Sequence, residues 1–370
     1  MVKSPYQFID TPALLIDREI MESNLHWMQN NADRWGVNLR PHTKTHKMPE
    51  LAKLQEEFGA AGITVAKVGE AEVMAAHGLT DIFIANEIVG AEKWRRLAVL
   101  SQKIRVIFGV DSPEAVHGIE SVFSQENVTA TVRIEVETGE NRSGVVSDEI
   151  FDRVLEAIHQ SPHVELEGVF SHEGHSYSAP SVEACLQLLE DAQKLTLHYA
   201  QRARDAGFDI QSVSIGSTPS LIHCQGLLQG ITEIRPGTYI FMDVGQGNCL
   251  GSYSRCAATV LTTIISKPTA DRLIGDSGAK ALTAQSRGSG LCQTEGKGIV
   301  KGSKIPVTNV YDEHTILYSE ELHRELFIGN KIEIIPNHIC PVVNLFDRAY
   351  LVSCGEIVKE LDIACRGKTQ

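Results

Sequence analysis

The stretch LRPHTKTHKMPE, Leu39–Glu50, gathers Arg40, His42, Lys44, His46 and Lys47 within eight residues of a chain whose formal net charge is -13. A lysine held out of water beside other cations gives up its proton easily and can join a carbonyl compound as a Schiff base. Lys44 is the candidate for that role, whereas Lys47 is expected to be an ordinary solvated lysine at the start of a helix. Three further groupings carry chemical potential. Gly216-Ser217-Thr218 and the run Arg235-Pro-Gly237-Thr238-Tyr239 combine small residues with hydroxyls. Small residues let backbone N–H groups approach an anion such as phosphate, although Ser-Thr-Pro also reads as a simple helix start. SHEGHSY supplies His172, His175 and Tyr177, which could move protons or pack beside a ring. PNHIC places His338 and Cys340 two apart, on one face if the segment is a strand. As a bare pattern this pair is weak, and a buried cysteine beside a capped histidine is the safer reading.

The elements that must position these residues alternate along the first two thirds of the chain. Eight β-rich runs are GVNLRPHTK, AGITVA, DIFIAN, IRVIFGV, TATVRIEVE, ELEGVFSH, IQSVSIG and TEIRPGTYIF. Amphipathic segments such as SDEIFDRVLEAIHQ, with Ser147 as N-cap, separate most of them. This α/β pattern suits a closed (β/α)8 barrel of the TIM type over residues 20–243, with a doubly wound sheet as the alternative. No GxGxxG follows the first strand, so a dinucleotide fold has little support. After residue 243 the pattern turns to strands, including AATVLTTIIS and KIEIIPNHICPVVN. Segments 1–19 and 244–370 are read as one mainly β domain, with TPALLID contributing a strand. In such a barrel the site lies at the C-terminal ends of the strands, and the loops after strands seven and eight grip phosphate. The chemistry-bearing groupings of the first 240 residues fall there. A lysine and a phosphate grip on one rim point to pyridoxal 5'-phosphate, PLP.

Composition bounds the partners. The chain has 370 residues, 42% hydrophobic, with 34 Lys+Arg against 47 Asp+Glu. An acidic surface with pI near 5.5 repels nucleic acid and anionic membrane. No apolar run is long enough to span a membrane, and MVKSPYQFIDTP lacks the apolar core of a signal peptide. The eight cysteines are scattered without a CxxC pair, which fits reduced thiols in a cytoplasmic protein.

The motifs DTPALLID, RPHTKTHK, GITVAKVGEAE, ETGENRSGV, GVFSHEGHSY, VSIGSTPS, EIRPGTYIFMD and IIPNHICP run in one order through nearly the whole chain. On these the chain resembles the fold-type III PLP enzymes, which have an alanine racemase-like barrel. It is most similar to the branch of D-serine dehydratase, D-threonine aldolase and D-threo-3-hydroxyaspartate dehydratase. The resemblance implies that Lys44 carries the cofactor and that Arg142 lies beside its phenolic oxygen. Arg235 would face the pyridine nitrogen, and Gly216, Ser217, Thr218, Gly237 and Thr238, with Tyr239, would hold the phosphate. It also implies a divalent ion on His338 and Cys340. The thiolate favours zinc, with manganese or magnesium as alternatives. The expected reaction is β-elimination from a D-3-hydroxy amino acid, giving a 2-oxo acid and ammonia. His172, His175 or Tyr177 would serve as a base if the reaction were instead aldol cleavage to glycine and an aldehyde. A racemase needs a second base that the sequence does not identify, and a PLP carrier protein would lack the second domain. Family members are usually homodimers. Lys280 and Arg287, in SGAKALTAQSR, could bind a second substrate carboxylate, with an ordinary solvated loop as the preferred reading.

Overall fold

A computed structural model describes residues 2–370. Strand β1, Ala13–Asp17, leads through helix α1, Arg18–Trp35, into the barrel. The barrel strands are β2 (Asn38–Leu39), β3 (Ile63–Val65), β4 (Asp81–Glu87), β5 (Arg105–Val110), β6 (Ala130–Val136), β7 (Val164–Ser171), β8 (Ser212–Ile215) and β9 (Glu233–Ile234). All eight expected strands are present, and every pairing among them is parallel. The sheet order β2-β9-β8-β7-β6-β5-β4-β3 is closed by the parallel bridge His42↔Thr64 and by the Thr64 N–H donating to Pro41 O. Helices α2 (Pro49–Glu57), α3 (Val68–Ala76), α4 (Ala91–Ser101), α5 (Pro113–Glu126), α6 (Asp148–His159), α7 (Val182–Asp205) and α8 (Thr218–His223) follow the first seven of these strands in turn. In α6 the expected cap is present: Ser147 accepts from the Ile150 N–H, and Phe151, Val154, Leu155 and Ile158 are buried on one stripe.

Beyond α9, Val244–Leu250, the chain is mainly β. Its strands are β10 (Ala258–Ser266), β11 (Arg272–Gly275), β12 (Gly298–Val300), β13 (Asn309–Val310), β14 (Thr315–Tyr318), β15 (Lys331–Pro336), β16 (Arg348–Ser353) and β17 (Glu356–Asp362). Strand β1 joins this sheet between β10 and β16, as TPALLID predicts. One expectation fails locally. The strand of KIEIIPNHIC stops at Pro336, and a short helix begins at Ile339.

At the barrel end where β4, β5 and β9 begin, six side chains form a closed ring of alternating charge. Glu233 Oε2 lies 2.7 Å from Arg40 Nε, and its Oε1 lies 2.6 Å from Arg133 Nη1. Glu167 bridges Arg133 (2.9 Å) and Arg105 (2.8 Å), while Asp81 bridges Arg105 (2.8 Å) and Arg40 (2.7 Å). Three guanidinium and three carboxylate groups neutralise one another, which is the condition for keeping Arg133, Arg40 and Glu233 buried. Arg40 therefore closes the barrel floor and does not support Lys44. None of the described helices is long and apolar enough to cross a membrane.

Candidate active site

A cavity of about 400 Å³ opens at the C-terminal ends of the barrel strands. Lys44, His42, Arg142, His172, Tyr177, Gly216, Ser217, Thr218, Arg235, Gly237 and Thr238 all line it. Strand β2 ends at Leu39, so Lys44 is delivered by the 3-10 turn Thr43–Thr45 beyond the strand. That turn is tied down at several points. His42 Nδ1 caps it, and Thr43 Oγ1 donates to Thr64 O at 3.0 Å. Lys47, with φ 57, is buried and pairs with Glu70 at 2.7 Å, and its carbonyl accepts from the Cys365 N–H. The expectation of a solvated Lys47 is thus corrected: its ammonium has a buried carboxylate to neutralise it. Burial pushes the Lys44 ammonium towards its neutral form; Cys340 opposes this and Arg142 adds to it.

The anion cradle has one open donor and several engaged ones. Thr218 Oγ1 is buried and without a partner, and Thr218 lines the cavity. The Ser217 N–H, by contrast, donates to Glu173 Oε1 at 2.8 Å, and Ser217 Oγ meets Ser176 and Ser220. A Cβ on Gly237 would sit 3.0 Å from Thr45 Oγ1 and 3.1 Å from His42 O, so only glycine lets this loop lie against the lysine turn. Tyr239 points elsewhere. Its hydroxyl accepts from Gln55 Nε2 at 2.9 Å towards α2, so no phosphate contact through the phenol is available. His46 belongs to the same chain of bonds: Met48 N–H donates to its Nδ1, and its Nε2–H donates to Gln55 Oε1.

The cations in the mouth differ in partners. Arg235 donates to Ser214 Oγ (2.5 Å) and Ser171 O (2.6 Å), both neutral, and lies over the Phe83 and Phe170 rings. Burial lowers its affinity for the proton to a pKa of about 10. Arg142 pairs with Glu135 at 3.2 Å and Glu140 at 3.3 Å. His42 and His172 are held neutral by burial and by Lys44, and each is depressed further by Arg142 and Arg235. His172 Nδ1 donates to Gly216 O, which leaves Nε2 as a free acceptor. His175 is separated from these two: it packs against Gly139 on the neighbouring loop, with Nδ1 buried and unpartnered, and does not line the cavity. The 3-10 turn Gly174–Ser178 directs it there. Glu87 and Glu135 also line the cavity, and sequence reasoning missed both. Burial, and then Glu135, pushes the Glu87 carboxyl well up. Neither stands out in the sequence, because β4 and β6 carry other polar residues, Asn86 and Arg133, beside them.

His338 and Cys340 come from the other sheet and do not line the cavity themselves; Cys340 meets Thr238, which does. His338 is the N-cap residue and Cys340 lies in the first turn of the helix Ile339–Val343, so they are not neighbours on one strand face. Cys340 Sγ lies 3.3 Å from Thr45 Oγ1 and 3.9 Å from Thr238 Oγ1. His338 Nδ1 meets Gln285 Oε1 at 3.1 Å, which leaves Nε2 available as a ligand nitrogen. Asp243 accepts from the Ile339 N–H at 3.2 Å and holds the backbone between the two donors. Among the described residues no cluster of three His, Cys, Asp or Glu side chains could hold a metal ion. Two donors alone would leave the remaining positions of a divalent ion to other ligands.

A parallel barrel with a lysine turn and an open anion cradle at one mouth, roofed by a β domain, defines the alanine racemase-like class of PLP enzymes. The family model for the alanine racemase N-terminal domain matches residues 16–244, and one for a serine dehydratase domain matches residues 257–352. The chain belongs to the alanine racemase N-terminal domain family. It is 31% identical over 367 residues to a D-threonine aldolase from Arthrobacter sp, covering 98% of this chain and 94% of that protein. It is 33% identical over 350 residues to D-threo-3-hydroxyaspartate dehydratase of Delftia sp. (strain HT23), covering 90% and 91%. The solved structure of the enzyme from Delftia sp. HT23 superposes with a TM-score of 0.90 at 29% identity, over 97% of this chain and 99% of that one.

Proposed function

We propose that the protein is a PLP- and divalent-metal-dependent lyase of D-3-hydroxy amino acids, eliminating the hydroxyl to give a 2-oxo acid and ammonia. The observation that carries this reading is the 3.3 Å approach of Cys340 to Thr45, next to Lys44. It sets one of the two candidate ion donors beside the turn that carries Lys44, which supports a reaction in which a lysine and an ion act on neighbouring carbons of one substrate. When bound, PLP supplies an electron sink for charge at Cα, and a divalent ion on His338 and Cys340 supplies a Lewis acid for the hydroxyl. The chain's own residues do the rest. Lys44, biased towards its neutral form, takes the Cα proton. Thr218 Oγ1 and the backbone at Gly237 and Thr238 would hold the phosphate, and Arg235 would serve the ring nitrogen as a donor that does not release its proton. Thiolate softness favours zinc on the pair.

The likeness to a D-threonine aldolase favours a second reading, cleavage of Cα–Cβ to glycine and an aldehyde. There His172 Nε2, a neutral acceptor at the mouth, is the group placed to take the hydroxyl proton. One experiment separates the two. The holoenzyme is incubated with D-serine, D-threonine and both D-3-hydroxyaspartates, and the products are resolved. Ammonia with a 2-oxo acid supports the dehydratase; glycine with an aldehyde sinks it.

A further inference from the structure

The loop between Thr283 and Glu295 closes over the mouth on the side of His338. Its Leu291 N–H donates to Ala179 O at 2.8 Å and its Cys292 N–H to Tyr177 O at 3.3 Å, while Gln285 meets His338. Two residues after Gln285 stands Arg287. Its backbone is fixed by a reciprocal pair of bonds with Thr294, and its guanidinium stacks on the Tyr177 ring with its carbon 4.1 Å from the centroid. Tyr177 is itself a wall of the cavity. Arg287 is half-buried, its Nε is buried without a hydrogen-bond partner, and its side chain has no carboxylate partner among the described residues. The nearby Asp243 is already engaged by the N–H groups of Gln246 and Ile339. A guanidinium whose fork is engaged by no side chain is free to take an anion in a charge-assisted pair. Lys280, the other candidate on this segment, is exposed and paired with Glu313, so it needs no ligand.

Position decides which anion. If the substrate's hydroxyl lies at His338 and Cys340, Cβ itself is held beside the loop that covers His338, the loop that carries Arg287. We infer that Arg287 is a specificity-determining residue that binds a carboxylate carried on Cβ, making the preferred substrate a D-3-hydroxy dicarboxylic amino acid such as 3-hydroxyaspartate. This inference rests on the lyase reading for the placement of the hydroxyl.

The test uses the holoenzyme loaded with PLP and zinc, and two ligands that lack a hydroxyl to eliminate, D-aspartate and D-alanine. Affinity is read from the change in cofactor absorbance. D-aspartate should bind about 30-fold more tightly than D-alanine, the size expected of one charge-assisted carboxylate contact. Arg287→Met, which keeps the stacked hydrocarbon stem, should bring the two within about threefold, and Arg287→Lys should fall between. In turnover, Arg287→Met should raise KM for 3-hydroxyaspartate and leave D-serine within about twofold. Equal affinities in the wild type would overturn the assignment. So would an equal loss for both ligands in Arg287→Met, because the residue would then serve the loop or the α-carboxylate. A dicarboxylate preference without lyase turnover would sink the lyase reading and leave Arg287 in place.

Discussion

Replacing Glu233 by glutamine tests the ring of charge that closes the barrel floor. The carboxylate accepts from Arg40 Nε at 2.7 Å, Arg133 Nη1 at 2.6 Å and Ser214 Oγ at 2.6 Å. Burial alone would raise its pKa, but Arg133 and Arg40 override that and hold it well below the usual carboxylate range. Glutamine keeps the shape and one acceptor, and turns an NH2 group towards one guanidinium. Two bonds between opposite charges, worth about 1.5–3 kcal/mol each, become one weaker bond from a guanidinium to a neutral amide oxygen and one donor–donor contact. The net loss is then about 4 kcal/mol, within the range for breaking a buried ion pair. With unfolding entropy of about 2.1 cal/mol/K per residue, a chain of this length loses about 5 °C of Tm. Calorimetry of Glu233→Gln against wild type measures this, with Glu165→Gln as the control. Glu165 lies two residues before Glu167 on β7 but is exposed, so its change should stay within about 0.5 kcal/mol. The variant Arg133→Met, combined with Glu233→Gln, should cost less than the two single losses added together, by more than about 1 kcal/mol. A Glu233→Gln shift no larger than that of Glu165→Gln, or strict additivity in the double variant, would refute the ring as a coupled unit.

Lys44→Ala should abolish the bound-cofactor absorbance without changing the far-UV circular dichroism; survival of the absorbance would remove Lys44 from its assigned role. Cys340→Ser should lose zinc on dialysis while the cofactor absorbance remains, and Cys340→Asp should favour manganese over zinc, both read by elemental analysis. His46 carries a pH dependence whose sign follows from its depressed pKa of about 4 against an ordinary 6.5. The unfolded chain binds the proton first as pH falls, so the contribution is complete above pH 6.5 and is lost between 6.5 and 4. It amounts to about 2 kcal/mol between pH 7.5 and 5. Urea midpoints should show a shallower pH slope in His46→Gln than in wild type, and an unchanged slope would remove His46 as the source.

Much of the site is legible in the sequence because its parts are local. A glycine beside hydroxyls after a strand, or a lysine just past one, keeps its meaning wherever the rest of the chain goes. Lys44, Thr218, Gly237, Arg142, Arg235, His172 and Tyr177 accordingly appear where their motifs place them, around one cavity. His175 and Tyr239 do not, because a single 3-10 turn after each strand rotates side chains by amounts that residue spacing leaves open. Glu87 and Glu135 escaped notice because a carboxylate in a strand carries no motif until its neighbour two strands away is known.

The sequence by itself determined the architecture. Eight short apolar runs between amphipathic helices have few ways to bury their faces, and a closed parallel barrel is one that leaves no exposed strand edge. Only the tertiary structure divided the cations of LRPHTKTHK among their tasks. Arg40 goes to the floor with Glu233, Lys47 to Glu70, and Lys44 to the mouth. The same closure brought Cys340 to Thr45 across 295 residues of chain and set Arg287 over Tyr177. The reason is physical. Backbone propensities act over a few residues, whereas the state and use of a charge depend on the partner it is buried with, and those partners are neighbours only in the folded chain.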